Sequence, residues 1–472
     1  MSASEKRQHK KPSLGYTVLT LVCLVAFIAV TYSVFQFPIL ISIFFSWLVV
    51  GGFALGLGYS LQEIEHAITE LIKIGVGLFA LLLAVGCLIA IMLSCGTVPT
   101  VIYWGLKLVT PKIFLPLAFT ICSLIGMATG TNWGTTSTIG VAMMGVGLGL
   151  GIPAPMVAGA IISGCALGSD CSPVSDGALL TSTICEIDVL KHCRHLVAVA
   201  VPAFVLSFIA YLIMGISTAG NTLDTAAIAG ITDAIAANFK VGLIPFIPLV
   251  IVVALLVLRK PATTAIIIGS FVGIFVAVFY QGYQVSEVAN FLASGFRIST
   301  GNTALVPILN RGGISSMLNL IATVVASLGL GGVLKECGTM DTLVESLRKA
   351  VKGRVGLTNA SLLINIACNM MVATNYFASL ISNTLLCPMY KQYGYAPENC
   401  SRINGFSAQM ISDFVPWSLA GVFLATTLGV PTLQYIPFSL FHLFTIALCL
   451  IYGYTGFNMP KLLHTEPENA EA

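Results

Sequence analysis

Long apolar runs alternate with short polar connections along this chain. Most runs reach the roughly 20 residues an α-helix needs to cross a bilayer. In order they are Leu14–Ser33, Phe37–Tyr59, Ile74–Cys95, Ile113–Gly130, Leu196–Ile216, Gly242–Leu258, Thr263–Tyr280, Ile314–Leu334, Leu357–Ala373 and Tyr435–Tyr454. Two segments have a different period. In Leu61–Lys73, Leu61, Ile64, Ile68 and Leu71 share one helical face against Glu63, Glu65 and Glu70, which predicts an interfacial amphipathic helix. Val285–Arg297 has the same character. Leu190–His195 reads as a polar turn and Asn221–Lys240 as a mixed polar linker near mid-chain.

The two halves are related. Cys95-Gly96-Thr97 recurs as Cys337-Gly338-Thr339, Thr131-Asn132 as Thr374-Asn375, and Ala154-Pro155 as Ala396-Pro397, at offsets of 242, 243 and 242. Asp170-Cys171-Ser172-Pro173 aligns with Asp413-Phe414-Val415-Pro416, again 243 on. The interval from Asn132 to Pro173 equals that from Asn375 to Pro416, 41 residues in both. Two repeats with polar interruptions in corresponding places form the pattern of a secondary transporter whose site lies between them. The predicted architecture is an all-α polytopic membrane protein of two related repeats. Each has a re-entrant hairpin and a broken transmembrane helix.

The interruptions carry the candidate chemistry. Thr131, Asn132, Thr135, Thr136 and Ser137 crowd polar groups into an apolar run, where irregular backbone persists only around a cavity or ligand. Pro173 cannot donate a backbone hydrogen bond, so an unwound turn there frees carbonyls beside Asp170, Ser172 and Asp176. The second repeat offers Thr374, Asn375, Ser379, Asp413 and Ser418. Hydroxyls, carbonyls and carboxylates suit a small hard cation. Asp170, Asp176 and Asp413 are the expected Na+ ligands, because a carboxylate inside a membrane is a functional candidate by default. Asn132, Thr136, Asp170, Ser172, Asn375 and Asp413 are expected to converge on one pocket near the bilayer midplane.

Composition fixes the class. Of 472 residues, 57% are hydrophobic and 9% charged, against about 25% charged in soluble proteins. The basic head Lys6–Lys11 favours a cytoplasmic amino terminus. The net charge of +3 gives no reason to expect nucleic acid. The 13 cysteines contain no CxxC pair and fall mostly in apolar runs, so they read as packing residues or idle thiols rather than metal ligands. No HExxH, Walker loop or GxSxG stands in a supporting context, so an enzyme is not expected. A channel could use the same polar groups, but two broken elements favour alternating access.

Gly130–Gly164 and Ser172–Asp176, continued by Arg311–Met317, Phe414–Trp417 and Tyr452–Phe457, resemble the signature of NhaC-type Na+/H+ antiporters. The resemblance implies a multi-pass protein of the bacterial inner membrane, in the broad ion-transporter group, with inverted repeats. Its activity would be Na+/H+ antiport or, alternatively, Na+- or H+-coupled carriage of an amino acid or small organic acid. The family's usual GDKxSP is Gly168-Ser169-Asp170-Cys171-Ser172-Pro173 here, its GDQY is Thr374-Asn375-Tyr376-Phe377, and its SPLVPW is Ser412-Asp413-Phe414-Val415-Pro416-Trp417. A lysine and an acid are lost while Asp413 is gained, which points to altered specificity.

The expected organisation is a basic cytoplasmic head (1–13), a first repeat (14–220), a linker (221–240), a second repeat (241–458) and a polar, disordered tail (459–472). Expected partners are the lipid bilayer and a small ion or small-molecule substrate, with a homodimer left open. Transported Na+ and H+ are expected, and no cofactor. Lys335, Arg348, Lys349, Lys352 and Arg354 follow Cys337, whereas only Lys107 and Lys112 follow Cys95, which places the two segments on opposite faces. With the crossing that Gly177–Glu186 completes, the spans nevertheless count six between equivalent points, which makes the repeats parallel unless one is miscounted, as around 285–307.

Overall fold

A computed structural model describes residues 9–218, 225–298 and 306–462. The first eight residues of the basic head, the start of the expected linker and the tail beyond 462 lie outside the described residues. Among the described residues, seven single helices are long and apolar enough to cross a bilayer, and three bent helix pairs bring the number to ten. The protein is a multi-pass membrane protein built from helices.

The repeat is visible in the backbone. Val76–Ser94 turns at Gly96 into Thr97–Leu108, and Ile314–Glu336 turns at Gly338 into Thr339–Ala350. Both glycines take left-handed φ values, 85° and 67°. Next come Pro111–Thr129 and a segment starting at Asn132, matched by Gly353–Val372 and Asn375–Gln392. These joints are again alike: Gly130 (φ 69°) then extended Thr131, and Ala373 (φ 60°) then extended Thr374. The third matched units are Ala154–Asp170 broken from Asp176–Ile184, and Pro397–Phe414 broken from Leu419–Leu428.

The second unit of each repeat is an antiparallel hairpin. In the first, the Thr129 and Thr135 hydroxyls meet at 3.1 Å beside the turn, while Gly147 faces Phe114 at the open end. In the second, Ser361 lies opposite Tyr390, whose hydroxyls are 3.4 Å apart. The run Ile113–Gly130 is therefore one arm of a helical hairpin. Besides the hairpin, five apolar helical units separate the equivalent points: Val76–Ser94, the broken pair at 154–184, Val189–Thr218, the shorter Ile244–Val257, and Ala262–Gln281. An odd number of crossings is what inverted repeats require.

Contacts at one end of the bundle agree with this count. Thr342 donates to the Pro12 carbonyl at 3.1 Å, bringing the basic head to the lysine- and arginine-rich segment after Cys337. Tyr395 pairs with Lys461, and Lys391 with Glu186, at points that five crossings put on that same side.

Two further expectations change. Leu190–His195 is no turn but lies in the 30-residue helix Val189–Thr218, where His192 is buried with Nδ1 3.1 Å from the Ser401 hydroxyl. Within the expected linker, Thr225–Asn238 is a helix. Ile231 and Ile235, with Phe239 just past the helix end, are spaced four apart and bury one face.

The first hairpin packs most closely on the broken helix of its own repeat, through small residues. A Cβ built on Gly126 would stand 3.2 Å from both the Cys165 carbonyl and the Gly168 Cα, so the two helix backbones nearly touch. This contact fixes the height of Asp170 relative to the hairpin tip.

Candidate functional site

The hairpins exchange partners across the molecule. Trp133, beside the first tip, stacks on Phe423 of the second broken helix with centroids 4.6 Å apart. Reciprocally, Ser379 of the second hairpin meets the Thr181 hydroxyl of the first broken helix at 3.0 Å, and Asn383 Oδ1 accepts from Cys185 Sγ at 3.3 Å. Each hairpin thus touches the half-helix that follows the other repeat's break, while its turn is held at the break of its own repeat, where Ser172 grips Met127 and Leu419 N donates to the Ala373 carbonyl at 2.9 Å.

Between them lies a small cavity of about 70 Å³. Six of the expected residues line it: Thr131, Asn132, Asp170, Asp176, Asn375 and Ser379. Trp133, Ser175, Thr181, His192, Tyr376 and Gln409 share the wall. Asp170 ends the helix Ala154–Asp170 and is half-buried, but its Oδ2 is enclosed and has no hydrogen-bond partner. The Asn132 amide nitrogen is likewise buried without a full partner, and that side chain faces the Asp413 carboxylate. Asp176 is exposed, in the first turn of Asp176–Ile184. An acid there is favoured by the helix dipole.

The other expected residues stand back from the cavity. Thr135 donates to the Thr131 carbonyl at 2.7 Å, Thr136 to Asn132 Oδ1 at 3.3 Å and Ser137 to the Gly134 carbonyl at 3.2 Å. A π-helical turn at Thr136–Gly140 follows, a distortion that often marks function. The Ser172 hydroxyl donates to the Met127 carbonyl at 2.9 Å, which pins the break to the hairpin arm. Ser418 caps the helix Leu419–Leu428, accepting from Gly421 N at 2.9 Å. Thr374 is the half-buried N-cap residue of the second tip.

Asp413 is fully buried one residue behind the wall. His442 Nε2 approaches its Oδ2 at 3.0 Å, and Gln409 Nε2 donates to its Oδ1 at 3.0 Å. Gln409 also accepts a short hydrogen bond from Asn375, so Asp413 reaches the cavity through a chain of amides. A second polar chain runs outward from Ser379. Asn383 Nδ2 donates to Ser379 Oγ at 3.1 Å and Asn404 Nδ2 to Asn383 Oδ1 at 3.1 Å. Asn365 Nδ2 then donates to Asn404 Oδ1 at 3.0 Å and to Ser407 Oγ at 2.8 Å.

Sequence reasoning missed Gln409, His442, Asn365, Asn404 and His192, and Asn369, whose Nδ2 donates to the Asn365 and Ala408 carbonyls at 3.0 Å. The available signals were the i,i+4 pairs Asn365/Asn369 and Gln409/Asp413, which align polar groups on one helix face. The His442–Asp413 contact joins elements 29 residues apart and leaves no such trace.

A sequence model described as the Na+/H+ antiporter family matches residues 7–200 and 184–457. The chain is 34% identical to a malate-2H+/Na+-lactate antiporter of Bacillus subtilis, over 94% of this chain and 95% of that one. It is 32% identical to the Na+/H+ antiporter NhaC of Alkalihalophilus pseudofirmus, over 96% and 98%. It is 30% identical to the arginine/ornithine antiporter ArcD of Halobacterium salinarum, over 95% and 93%. With matches running almost end to end over paired, interlocked repeats, the chain belongs to the Na+/H+ antiporter family.

Proposed function

We propose that the protein exchanges Na+ for H+ across the membrane, with Asp170 as the group the two ions share. The enclosed, unpartnered Asp170 Oδ2 carries this reading. A carboxylate held away from water needs either a cation or a proton, since unpaired buried charge is costly. Neither can occupy those oxygens while the other does, so one site binding one or the other is the minimum needed for exchange. Asn132, Thr131 and Asn375 supply neutral oxygens of the kind a hard cation takes. Asp176 at the wall adds charge that draws cations in. The small cavity supports an ion over a bulkier solute.

The inverted repeats supply the two access states. Each repeat supplies part of the cavity wall, so rocking one repeat against the other opens the site to alternate sides.

A second reading has support of its own. The amide chain Asn375–Gln409–Asp413–His442 brings more polar groups than Na+ requires, and relatives of this chain include antiporters named for carboxylates and for amino acids. Na+- or H+-coupled exchange of an organic acid or amino acid would use those groups on the solute.

Everted vesicles from a strain lacking other antiporters separate the two. Adding Na+ dissipates a preformed pH gradient if exchange of Na+ for H+ is the activity, and Asp170→Asn abolishes that response. No response between pH 7 and 9, together with gradient-driven uptake of a labelled amino acid or organic acid, moves the assignment to the second reading.

A further inference from the structure

Three cysteines far apart in sequence meet in the interior. Cys185 caps the end of the helix Asp176–Ile184, Cys387 lies on the second hairpin, and Cys400 is in the first turn of Pro397–Phe414. All three are buried, and their sulfur atoms lie within 4.8 Å of one another. Asn383 Oδ1 stands 3.3 Å from Cys185 Sγ and 3.8 Å from Cys400 Sγ, a neutral oxygen beside two of the three sulfurs. We infer that Cys185, Cys387, Cys400 and the Asn383 carbonyl form a tetrahedral site for Zn(II), joining the two repeats.

The chemistry favours a d10 divalent ion. Zn–S bonds of about 2.3 Å place tetrahedral sulfurs about 3.8 Å apart, so the thiols need only a modest inward movement. Binding is a proton exchange without redox: Zn(II) forms three Zn–S bonds, three S–H bonds break, and three protons leave to solvent. Three thiolates around Zn(II) carry a net charge of −1, and Lys391 interacts electrostatically with both Cys185 and Cys387. A monovalent soft ion with the same ligands would leave a net −2 to bury.

Compartment and access also agree. Glu186 and Lys391, beside Cys185 and Cys387, form an exposed ion pair at 2.8 Å on the end of the bundle that holds the basic head. The positive-inside rule makes that end cytoplasmic, where reducing conditions keep thiols free of disulfides. The ion would tie the first repeat's broken helix to the second repeat's hairpin, the elements that also bring Thr181 to Ser379. Its occupancy would clamp the repeats and slow transport.

The full chain, purified in detergent, is dialysed against Zn(II) and its metal content measured. About one Zn(II) per chain is expected. Co(II) in its place gives intense visible bands of a tetrahedral thiolate site. Cys387→Ser and Cys400→Ser each weaken Zn(II) binding at least about 10-fold, whereas Cys87→Ser, remote from the cluster, does not. Alkylation mapped by mass spectrometry on the unmutated protein serves where variants fold poorly: Zn(II) protects Cys185, Cys387 and Cys400 together. The inference is overturned if the wild type retains no Zn(II), if the serine variants bind it as tightly, or if Zn(II) leaves those three thiols as reactive as before. None of these readouts depends on which solute is carried.

Discussion

Gly168→Ala tests whether helix contact sets the position of the candidate site. A Cβ at residue 168 would lie 2.5 Å from the Ser123 carbonyl oxygen, 2.6 Å from Met127 N and 2.7 Å from Gly126 C. All three neighbours are backbone, so no side chain can swing aside. Reaching an ordinary 3.4 Å separation requires the hairpin arm and the broken helix to part by 0.7 to 0.9 Å. Overpacking of this kind costs about 1–3 kcal/mol. The displacement falls two residues before Asp170 and across from the arm that Ser172 grips. Gly52→Ala is the control: its Cβ meets nothing within 4 Å, and alanine improves helix propensity by up to about 1 kcal/mol. The measurements are thermal unfolding of the detergent-purified protein and ion-dependent transport in vesicles. Gly168→Ala should melt below wild type and transport more slowly, while Gly52→Ala melts at or above it. Equal melting of the two variants, with transport intact, would refute the claim that this contact holds the site in place.

Trp133→Ala and Phe423→Ala, combined in a double-mutant cycle on unfolding, should show a coupling of about 0.5–1.5 kcal/mol, the worth of a stacked aromatic pair; additive effects would mean the hairpin tip does not rest there. Asn365→Ala leaves Asn404 Oδ1 and Ser407 without a buried donor and should cost about 1–3 kcal/mol, read from the melting temperature. Glu63 accepts from the Ser60 amide and hydroxyl and pairs with His9, which together hold its carboxyl down at about 2. Because that value is lowered, the capping of Leu61–Ile74 persists above the ordinary carboxylate range and is lost as pH falls through about 2. A carboxyl carbon chemical-shift titration checks this, and a midpoint near 4.5 would contradict it.

The parts legible in the sequence are those where backbone geometry demands particular residues. Gly96, Gly130 and Gly338 mark left-handed turns, and the polar residues after each hairpin turn recur at a fixed offset. Hydrophobicity alone could not tell a hairpin arm from a crossing, because Ile113–Gly130 buries one face and turns Ile113, Leu124 and Met127 outward, as a crossing helix also does. It also hid the helix at Thr225–Asn238, whose apolar face is only three residues deep. For the site, residue type located Thr131, Asn132, Asp170, Asp176, Asn375 and Ser379, which share one cavity wall. Thr136, Ser172 and Ser418 look identical in sequence but direct their hydroxyls into the fold itself. Asp413 was visible as an acid, but its partner His442 arrives from a different helix.

The cavity is walled by residues of both repeats, so neither repeat holds a whole site. Asp170 comes from one half and Asn375 from the other, so each half is a complementary component rather than a smaller transporter. Such an arrangement is what an ancestral pair of oppositely inserted subunits would leave after fusion. The two sides have since diverged: the first turn still needs Gly130, where a Cβ would meet Val174 at 2.7 Å, while the second accepts Ala373. Cutting the chain between the repeats should therefore give two inactive fragments that regain exchange when made together. Substitutions at one hairpin tip should find their suppressors in the opposite half of the chain.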